Sequence, residues 1–162
     1  MGERRAILTH EGGMRFSAVT GTDRTVVFGD DVAKNEHSPV EIVTAALAAC
    51  TAMDVAAIML KKRQLPESYT ITVGAMQRSE YPQVLTSVEL IHEVSGPDVT
   101  EEAVRRCIEL SATKYCPVSA MLSAGETMIH HRYRVHGTGP TPVEAEGEVV
   151  VTGPYKRPDI VP

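Results

Sequence analysis

Residues 38–63 read SPVEIVTAALAACTAMDVAAIMLKKR, and this segment sets the architecture of the chain. It opens with a strong helix start, because Ser38 can cap, Pro39 is tolerated at the first helical position, and Glu41 can reach back to the cap. The apolar residues that follow keep the spacing of one helical face: Val43, Ala46, Leu47, Cys50, Met53, Ala57 and Ile58. Residues 61–63 then place cations on the negative end of the helix dipole. We therefore predict a central, largely buried helix of roughly 24 residues, about 36 Å long.

Strand patterns and two shorter helices surround this helix. The predicted elements are strands at 4–9, 15–19 and 24–28, strands at 69–77 and 84–94, a helix beginning at Asp98 or Thr100, a short helix that Cys116 caps and that ends at Gly125, and a strand at 127–135. This order predicts an α+β domain whose helices gather against an antiparallel sheet.

The last part of the chain has a different composition. Residues 138–162 hold five of the ten prolines, which predicts an irregular arm in which residues 148–152 could add one short strand. We therefore expect one domain over 1–137 and a C-terminal arm over 138–162. A chain of 162 residues is long enough for one domain to bury its own core.

Charge and hydropathy exclude several kinds of partner. The formal charge is −5, from 16 basic and 21 acidic residues, and the densest basic run only ends the long helix. Nucleic acid is therefore not an expected partner. The first residues lack the apolar core of a signal peptide, and we count no stretch near the ~20 apolar residues of a membrane span. These features predict a cytoplasmic protein without a membrane partner.

Three cysteines, an odd number in a cytoplasmic chain, do not form a disulfide framework. Each is therefore either a buried small hydrophobe or a redox group. Cys107 has only the amphipathic pattern of its helix around it, which favours a core role. Cys50 falls on the predicted buried face of the long helix. Asp54 shares that face and would need a partner such as an arginine.

Cys116 stands just before Pro117 at a helix start. Free backbone N–H groups and the positive end of the helix dipole lower a thiol pKa there, so local physics favours Cys116 as the better thiolate. The alternative interpretation is a buried residue at a tight corner between helices.

Neither a catalytic carboxylate nor a metal follows from spacing alone. Glu41 lies nine residues before Cys50, on the opposite helix face and about 13.5 Å along the axis, so capping explains it best. His130 and His131 point to opposite faces of a strand, and the remaining histidines form no ligand spacing with the cysteines. We predict no metal and no other cofactor.

Three segments together carry a resemblance to a known family. They are residues 12–16 (GGMRF), 38–55 (SPVEIVTAALAACTAMDV) and 114–120 (KYCPVSA). In this order they resemble the OsmC/Ohr superfamily, in particular its OsmC-like branch, over residues 10–135. The resemblance implies an α+β homodimer in which two chains interlock around their central helices and form two sites at the subunit interface.

The resemblance also implies a thiol-dependent peroxidase active in oxidative stress defence. Cys50 takes the position that reacts with an organic hydroperoxide or hydrogen peroxide, and Cys116 takes the position that closes the disulfide, which a dithiol then reduces. Arg15 matches the arginine that holds the thiolate, with Arg24 in reserve. Glu41 is the nearest match to the family's glutamate but lies one residue closer to the cysteine, because Val40 occupies the equivalent position.

Two other interpretations stay open at this stage. One is a non-catalytic dimer that binds a small carboxylated or apolar ligand between Arg15, Glu41 and Cys50, with redox-sensitive cysteines. The other is a structural dimer whose cysteines are buried and inert.

Overall fold

The computed structural model describes residues 3–31 and 34–151, with the side chains of Val150 and Val151 excepted. Within it the chain forms two compact units, Met1–Val43 and Thr44–Pro162. Each unit is described by itself below.

The first unit contains the predicted three-stranded meander. Its strands are β1 (Ala6–Gly12), β2 (Arg15–Thr20) and β3 (Thr25–Phe28), in the antiparallel order β1-β2-β3. The turn between β1 and β2 uses Gly12 and Gly13 at φ values of 111° and 56°, which residues with a side chain rarely adopt. After β3 a parallel bridge joins Phe28 to His37, so the chain passes back along the sheet before the long helix begins.

The long helix α1 spans Pro39–Lys61, close to the predicted range. Its end is a glycine-free Schellman motif: Arg63 has φ 57°, its N–H donates to the carbonyl of Leu60 at 3.1 Å, and the N–H of Gln64 donates to the carbonyl of Met59 at 3.0 Å. The basic side chains at 61–63 therefore sit where the last carbonyl groups of the helix point.

Only one stripe of α1 is buried. It consists of residues four apart: Leu47, Thr51, Val55 and Met59. Met53, which the sequence pattern placed on the core face, is 74% exposed, and Cys50 is half-buried. The prediction of a largely buried helix is therefore wrong for the single chain. The helix is apolar on every side, so hydrophobic periodicity cannot select the face that packs.

The apolar character of α1 also corrects our count of apolar stretches. Among residues 3–31 and 34–151, α1 is the one helix whose length and apolar composition would allow it to cross a membrane. Its apolar character is not evident as an apolar stretch in the sequence, because Thr44, Thr51 and Asp54 interrupt it. Length and composition alone do not separate a membrane span from a core helix of a soluble protein.

The second unit contains a four-stranded sheet in the order β4-β5-β6-β7. The strands are β4 (Ser68–Gln77), β5 (Leu85–Gly96), β6 (Met128–Gly137) and β7 (Val143–Val151). The α+β class is confirmed, but the sheet is mixed: β5 and β6 are parallel, while the other two pairs are antiparallel. The pair can be parallel because the helices between β5 and β6 carry the chain back across the sheet.

Three short helical segments form that crossover. They are α2 (Glu101–Leu110), a π turn (Ser111–Tyr115) and α3 (Pro117–Ser123). Thr100 caps α2 by accepting a hydrogen bond from the N–H of Ala103 at 3.3 Å. Cys116 caps α3 as predicted, although α3 ends at Ser123 and not at Gly125. The π turn was not predicted, and it sets the geometry of the cysteine site.

The core of the second unit lies between α2 and the inner face of the sheet. From Val88 onward every second residue of β5 is buried. The buried side of α2, formed by Val104, Cys107 and Ile108, packs against β6 and β7, in one core cluster with Tyr133 and Val135. Cys107 is fully buried, which confirms its predicted core role.

Strand β7 begins five residues before the predicted strand at 148–152. It pairs with β6 from Gly137↔Val143 to Ile129↔Val151 and forms one edge of the sheet. This strand lies within the segment that we expected to be an arm. Residues 152–162 lie outside the described part of the chain.

Candidate functional site

Cys50, Asp54 and Cys116 form a compact cluster in the second unit. Their sulfur and carboxylate atoms all lie within 4.8 Å of one another. Cys50 and Asp54 are one helical turn apart on α1, and Cys116 stands at the beginning of α3. The two sulfurs are not joined in a disulfide. The structure therefore brings together the two cysteines that the sequence singled out.

The π turn holds this cluster in place from the crossover side. The N–H of Cys116 donates to the carbonyl of Ser111 at 2.9 Å, the hydrogen bond that closes the wide turn. The hydroxyl of Ser111 donates to Oδ2 of Asp54 at 2.9 Å. The partner of Asp54 is thus a buried serine and not the arginine that we expected. One turn therefore fixes both Cys116 and the carboxylate beside Cys50.

Cys116 is buried, with 1% of its surface exposed. Its Sγ accepts a hydrogen bond from the N–H of Ser119 at 3.3 Å, and the hydroxyl of Thr51 lies 3.9 Å from it. Burial nevertheless raises the pKa of Cys116 to about 12, with a further contribution from Cys50. The expectation that the helix start lowers the pKa of Cys116 is therefore wrong, because desolvation outweighs the effect of the helix N-terminus.

Cys50 differs from Cys116 in access to solvent. It is half-buried, whereas Cys116 and Cys107 are buried. It lies beside the buried stripe of α1 and not within it, so its side chain stands on the solvent-accessible side of the Cys50/Asp54/Cys116 cluster. Of the three thiols, Cys50 is the one that a reactant from solution reaches first.

In the first unit, Arg15 is held by two carboxylates. Its Nη1 donates to Glu36 at 2.7 Å and its Nε donates to Glu11 at 2.8 Å. The carboxylate of Glu36 also accepts from the N–H of Asp31 at 3.0 Å. The hydrogen bond from Arg15 lowers the pKa of Glu36, and the Glu36 side chain is nearly buried, with 4% exposed.

Sequence reasoning missed Glu36, because no local pattern marks it. Its position depends on the bridge between Phe28 and His37, which lays residue 36 against the strand. A Cβ at Gly29 would overlap the Glu36 carboxylate, so the glycine makes room for this ion pair. Gly29 was the only signal available, and a single glycine does not identify its neighbour.

Glu41 has a capping contact. Its Oε2 accepts a hydrogen bond from the N–H of Ser38 at 3.0 Å, which is half of a capping box at the start of α1. This contact supports the capping interpretation. The catalytic role that the family resemblance implies for Glu41 stays a prediction.

A buried polar array crosses the sheet of the second unit. Nε2 of His92 lies 3.1 Å from Nδ1 of His131, and Nδ1 of His92 lies 2.9 Å from the hydroxyl of Tyr69. Burial lowers the pKa of His92 to about 3 and that of His131 to about 4, so both are neutral at physiological pH. Local ligand spacing does not reveal this pair, because the two histidines lie on different strands. Its signal was two histidines on the inward-facing positions of otherwise apolar strands.

Similar proteins are known by sequence and by structure. The chain is 30% identical over 118 residues to Protein YhfA of Escherichia coli K12, which covers 73% of this chain and 88% of YhfA. A hypothetical protein from Aquifex aeolicus VF5 has a TM-score of 0.73 and 24% identity, over 83% of this chain and 97% of that one. An organic hydroperoxide resistance protein from Elizabethkingia anophelis has a TM-score of 0.64 and 16% identity, over 85% and 98% of the two chains. At these identities the two structures show a shared fold.

The family described as OsmC-like protein matches residues 32–131, which is more than half of the chain and includes both Cys50 and Cys116. The match confirms the resemblance that residues 38–55 and 114–120 carry. This chain belongs to the OsmC-like protein family.

Proposed function

We propose that this protein is a thiol-dependent peroxidase that reduces organic hydroperoxides or hydrogen peroxide in the cytoplasm, as part of oxidative stress defence. The observation that carries the proposal is a pair of free cysteines whose Sγ atoms lie within 4.8 Å of each other. One is Cys50 in α1, and the other is Cys116 at the N-cap of α3. The organic hydroperoxide resistance protein with the same fold supports the substrate class.

The two thiols differ in burial, which supports a different role for each. The half-buried Cys50, as thiolate, attacks one oxygen of the peroxide O–O bond and becomes a sulfenic acid. The other oxygen takes a proton and leaves as an alcohol, or as water when the substrate is hydrogen peroxide. The buried Cys116 keeps its proton at neutral pH because of its raised pKa, so it does not compete for peroxide. Its sulfur then attacks the sulfenic sulfur, water leaves, and a Cys50–Cys116 disulfide forms. A dithiol reductant restores both thiols by exchange.

Arg15 is the proposed cation for the reacting thiolate, with Glu36 and Glu11 holding its guanidinium. A fixed guanidinium stabilises the thiolate, and it also stabilises the negative charge on the oxygen that leaves the peroxide. Arg24 is the reserve candidate. We propose a catalytic role for Glu41 only because its position resembles that of the family's glutamate.

We further propose a homodimer built around α1. The helix leaves large apolar side chains uncovered in the single chain: Met53 is 74% exposed, Leu60 is 65% exposed and Val43 is 41% exposed. Apolar surface of this kind along a long helix favours coverage by another copy of the same chain.

Peroxide consumption with a dithiol tests the proposed activity directly. Reduced wild-type protein is mixed with cumene hydroperoxide and excess dithiothreitol, and the remaining peroxide is assayed. Cys50→Ser should abolish turnover. The matched variant Cys107→Ala should keep it, because Cys107 lies in the hydrophobic core and not in the Cys50/Asp54/Cys116 cluster. Full turnover by Cys50→Ser would contradict the proposal.

A further inference from the structure

The cluster that contains the two cysteines also includes a carboxylate. Cys50 Sγ, Asp54 Oδ and Cys116 Sγ are three metal-ligating atoms within 4.8 Å of one another. The peroxide chemistry uses only the two sulfurs, so Asp54 has no role in it. We propose that the reduced protein binds one Zn²⁺ ion through Cys50, Asp54 and Cys116.

The distances fit zinc after a small movement. Zn–S bonds of about 2.3 Å and Zn–O bonds of about 2.0–2.2 Å place neighbouring ligands of a tetrahedral site about 3.5–3.8 Å apart. The three donor atoms, which lie within 4.8 Å of one another, need to approach by about 1.3 Å at most to reach that spacing. Rotation about χ1 of Cys50 supplies such a movement, because its side chain is half-buried and not fully packed.

The arrangement of the donors resembles that of known zinc sites. Cys50 and Asp54 are four residues apart on one helix face, and the third donor comes from a distant segment. Three protein ligands leave a fourth position for water, as in catalytic zinc centres. Two thiolates favour Zn²⁺ over Mg²⁺ or Ca²⁺, which prefer oxygen ligands alone.

Neighbouring groups orient two of the three ligands. The Ser111 hydroxyl binds Oδ2 of Asp54 at 2.9 Å, which fixes the carboxylate and leaves its other oxygen for the ion. The Ser119 N–H donates to Cys116 Sγ at 3.3 Å, and it stabilises the sulfur in its ionised form. Such contacts behind the ligands raise metal affinity by holding each donor in place.

Binding requires both thiols in the reduced state. Each thiol loses its proton to the buffer when its sulfur binds the ion, so two protons leave per Zn²⁺. A Cys50–Cys116 disulfide has no thiolate to offer, so zinc and the disulfide exclude each other. Zinc binding itself does not rest on the proposed peroxidase activity, and it can be tested without peroxide.

No spacing motif in the sequence points to this site, and we predicted no metal. The reason is that the donors come from α1 and from the cap of α3, so the site exists only after the π turn has brought Cys116 against α1. The structure therefore adds a candidate that sequence patterns cannot show.

Metal titration of the reduced protein tests the proposal. Zn²⁺ is added in competition with a chromophoric chelator, and Co²⁺ is used in parallel because its visible spectrum reports tetrahedral thiolate ligation. We expect one ion per chain, with a thiolate-to-cobalt band. Cys50→Ser and Cys116→Ser should abolish that band, Asp54→Asn should weaken binding at least about tenfold, and Cys107→Ala should bind like wild type.

Diamide-oxidised wild-type protein provides a test that requires no substitution. Once the Cys50–Cys116 disulfide has formed, the protein should bind no Zn²⁺, and dithiothreitol should restore binding after the excess reductant is removed. Failure of the reduced wild-type protein to bind either ion would overturn the proposal. So would unchanged binding in Asp54→Asn, or binding that is lost only in Cys107→Ala. A peroxidase without zinc binding, or zinc binding without peroxidase activity, separates this proposal from the one above.

Discussion

Cys50 and Cys116 face each other with their sulfur atoms within 4.8 Å, one half-buried on α1 and the other buried at the cap of α3. A disulfide needs an S–S distance of about 2.05 Å, so closure requires the sulfurs to approach by up to about 2.8 Å. Side-chain rotation of the more open Cys50 provides much of that path. The asymmetry in burial supports our proposed assignment, in which Cys50 reacts with peroxide and Cys116 closes the disulfide.

The first prediction follows from this assignment. In Cys116→Ser the sulfenic acid at Cys50 has no partner, so it should persist and react with dimedone. One dimedone adduct per chain should appear on Cys50 after one equivalent of peroxide, measured by mass spectrometry. In Cys50→Ser no adduct should form on Cys116, because burial keeps its pKa high. An adduct on Cys116 in that variant would reverse the proposed roles.

The second prediction concerns Arg15. Arg15→Ala should lower the rate constant of Cys50 with peroxide at least about tenfold, which corresponds to about 1.4 kcal/mol of transition-state stabilisation. The matched variant Arg24→Ala should react within about twofold of wild type. Peroxide competition kinetics with a reference thiol measures both rates.

Arg15→Ala also leaves Glu36 buried without its cation. The double variant Arg15→Ala/Glu36→Gln removes that stranded charge, and circular dichroism checks that it folds. If the double variant regains the wild-type rate, Arg15 acts on stability and not on the thiolate.

The third prediction separates the two roles of Glu41. A cap needs only an acceptor oxygen, which glutamine also offers, whereas proton transfer needs a carboxylate. Because Glu41 accepts from the Ser38 N–H at 3.0 Å, we expect Glu41→Gln to keep both stability and peroxide turnover. Glu41→Ala should lower the free energy of unfolding by about 0.5–1 kcal/mol. A large loss of turnover in folded Glu41→Gln would instead establish the catalytic role.

The fourth prediction uses the buried pair His92 and His131. Their pKa values in the folded protein are about 3 and about 4, below the ordinary value of 6.5. As pH falls below 6.5, the unfolded chain takes up protons that the folded chain does not, so the free energy of unfolding decreases. The decrease approaches about 1.4 kcal/mol per pH unit for each histidine and levels off once the folded state also binds protons.

Urea unfolding between pH 7 and pH 4 measures this dependence. The variant His92→Asn/His131→Asn should lose the additional slope, while His136→Asn, whose ring pairs with Glu144 on the exposed side of the sheet, should keep it. Equal slopes in wild type and in the double variant would show that the buried pair does not set the acid stability.

Much of the fold could be predicted because its signals are local. The Ser38-Pro39 start of α1, the Thr100 cap of α2 and the Cys116-Pro117 cap of α3 each depend on a few neighbouring residues. The parallel pairing of β5 with β6 could not be predicted, since it depends on how the crossover returns the chain.

The site shows the same division between local and distant signals. Both cysteines could be found from the sequence, but the groups around them could not. Ser111 reaches Asp54 only because a π turn replaces the last turn of a helix, and Glu36 reaches Arg15 only after the chain has folded back along β3. The pKa of Cys116 was predicted in the wrong direction because a cap is visible in sequence and burial is not.

The most direct test of the central claim is peptide mapping of the oxidised protein. Reduced protein is treated with one equivalent of cumene hydroperoxide, the remaining thiols are alkylated, and the peptides are identified by mass spectrometry without reduction. The account predicts a Cys50–Cys116 disulfide with Cys107 alkylated after denaturation. Three alkylated cysteines without any disulfide, or a disulfide that includes Cys107, would contradict it.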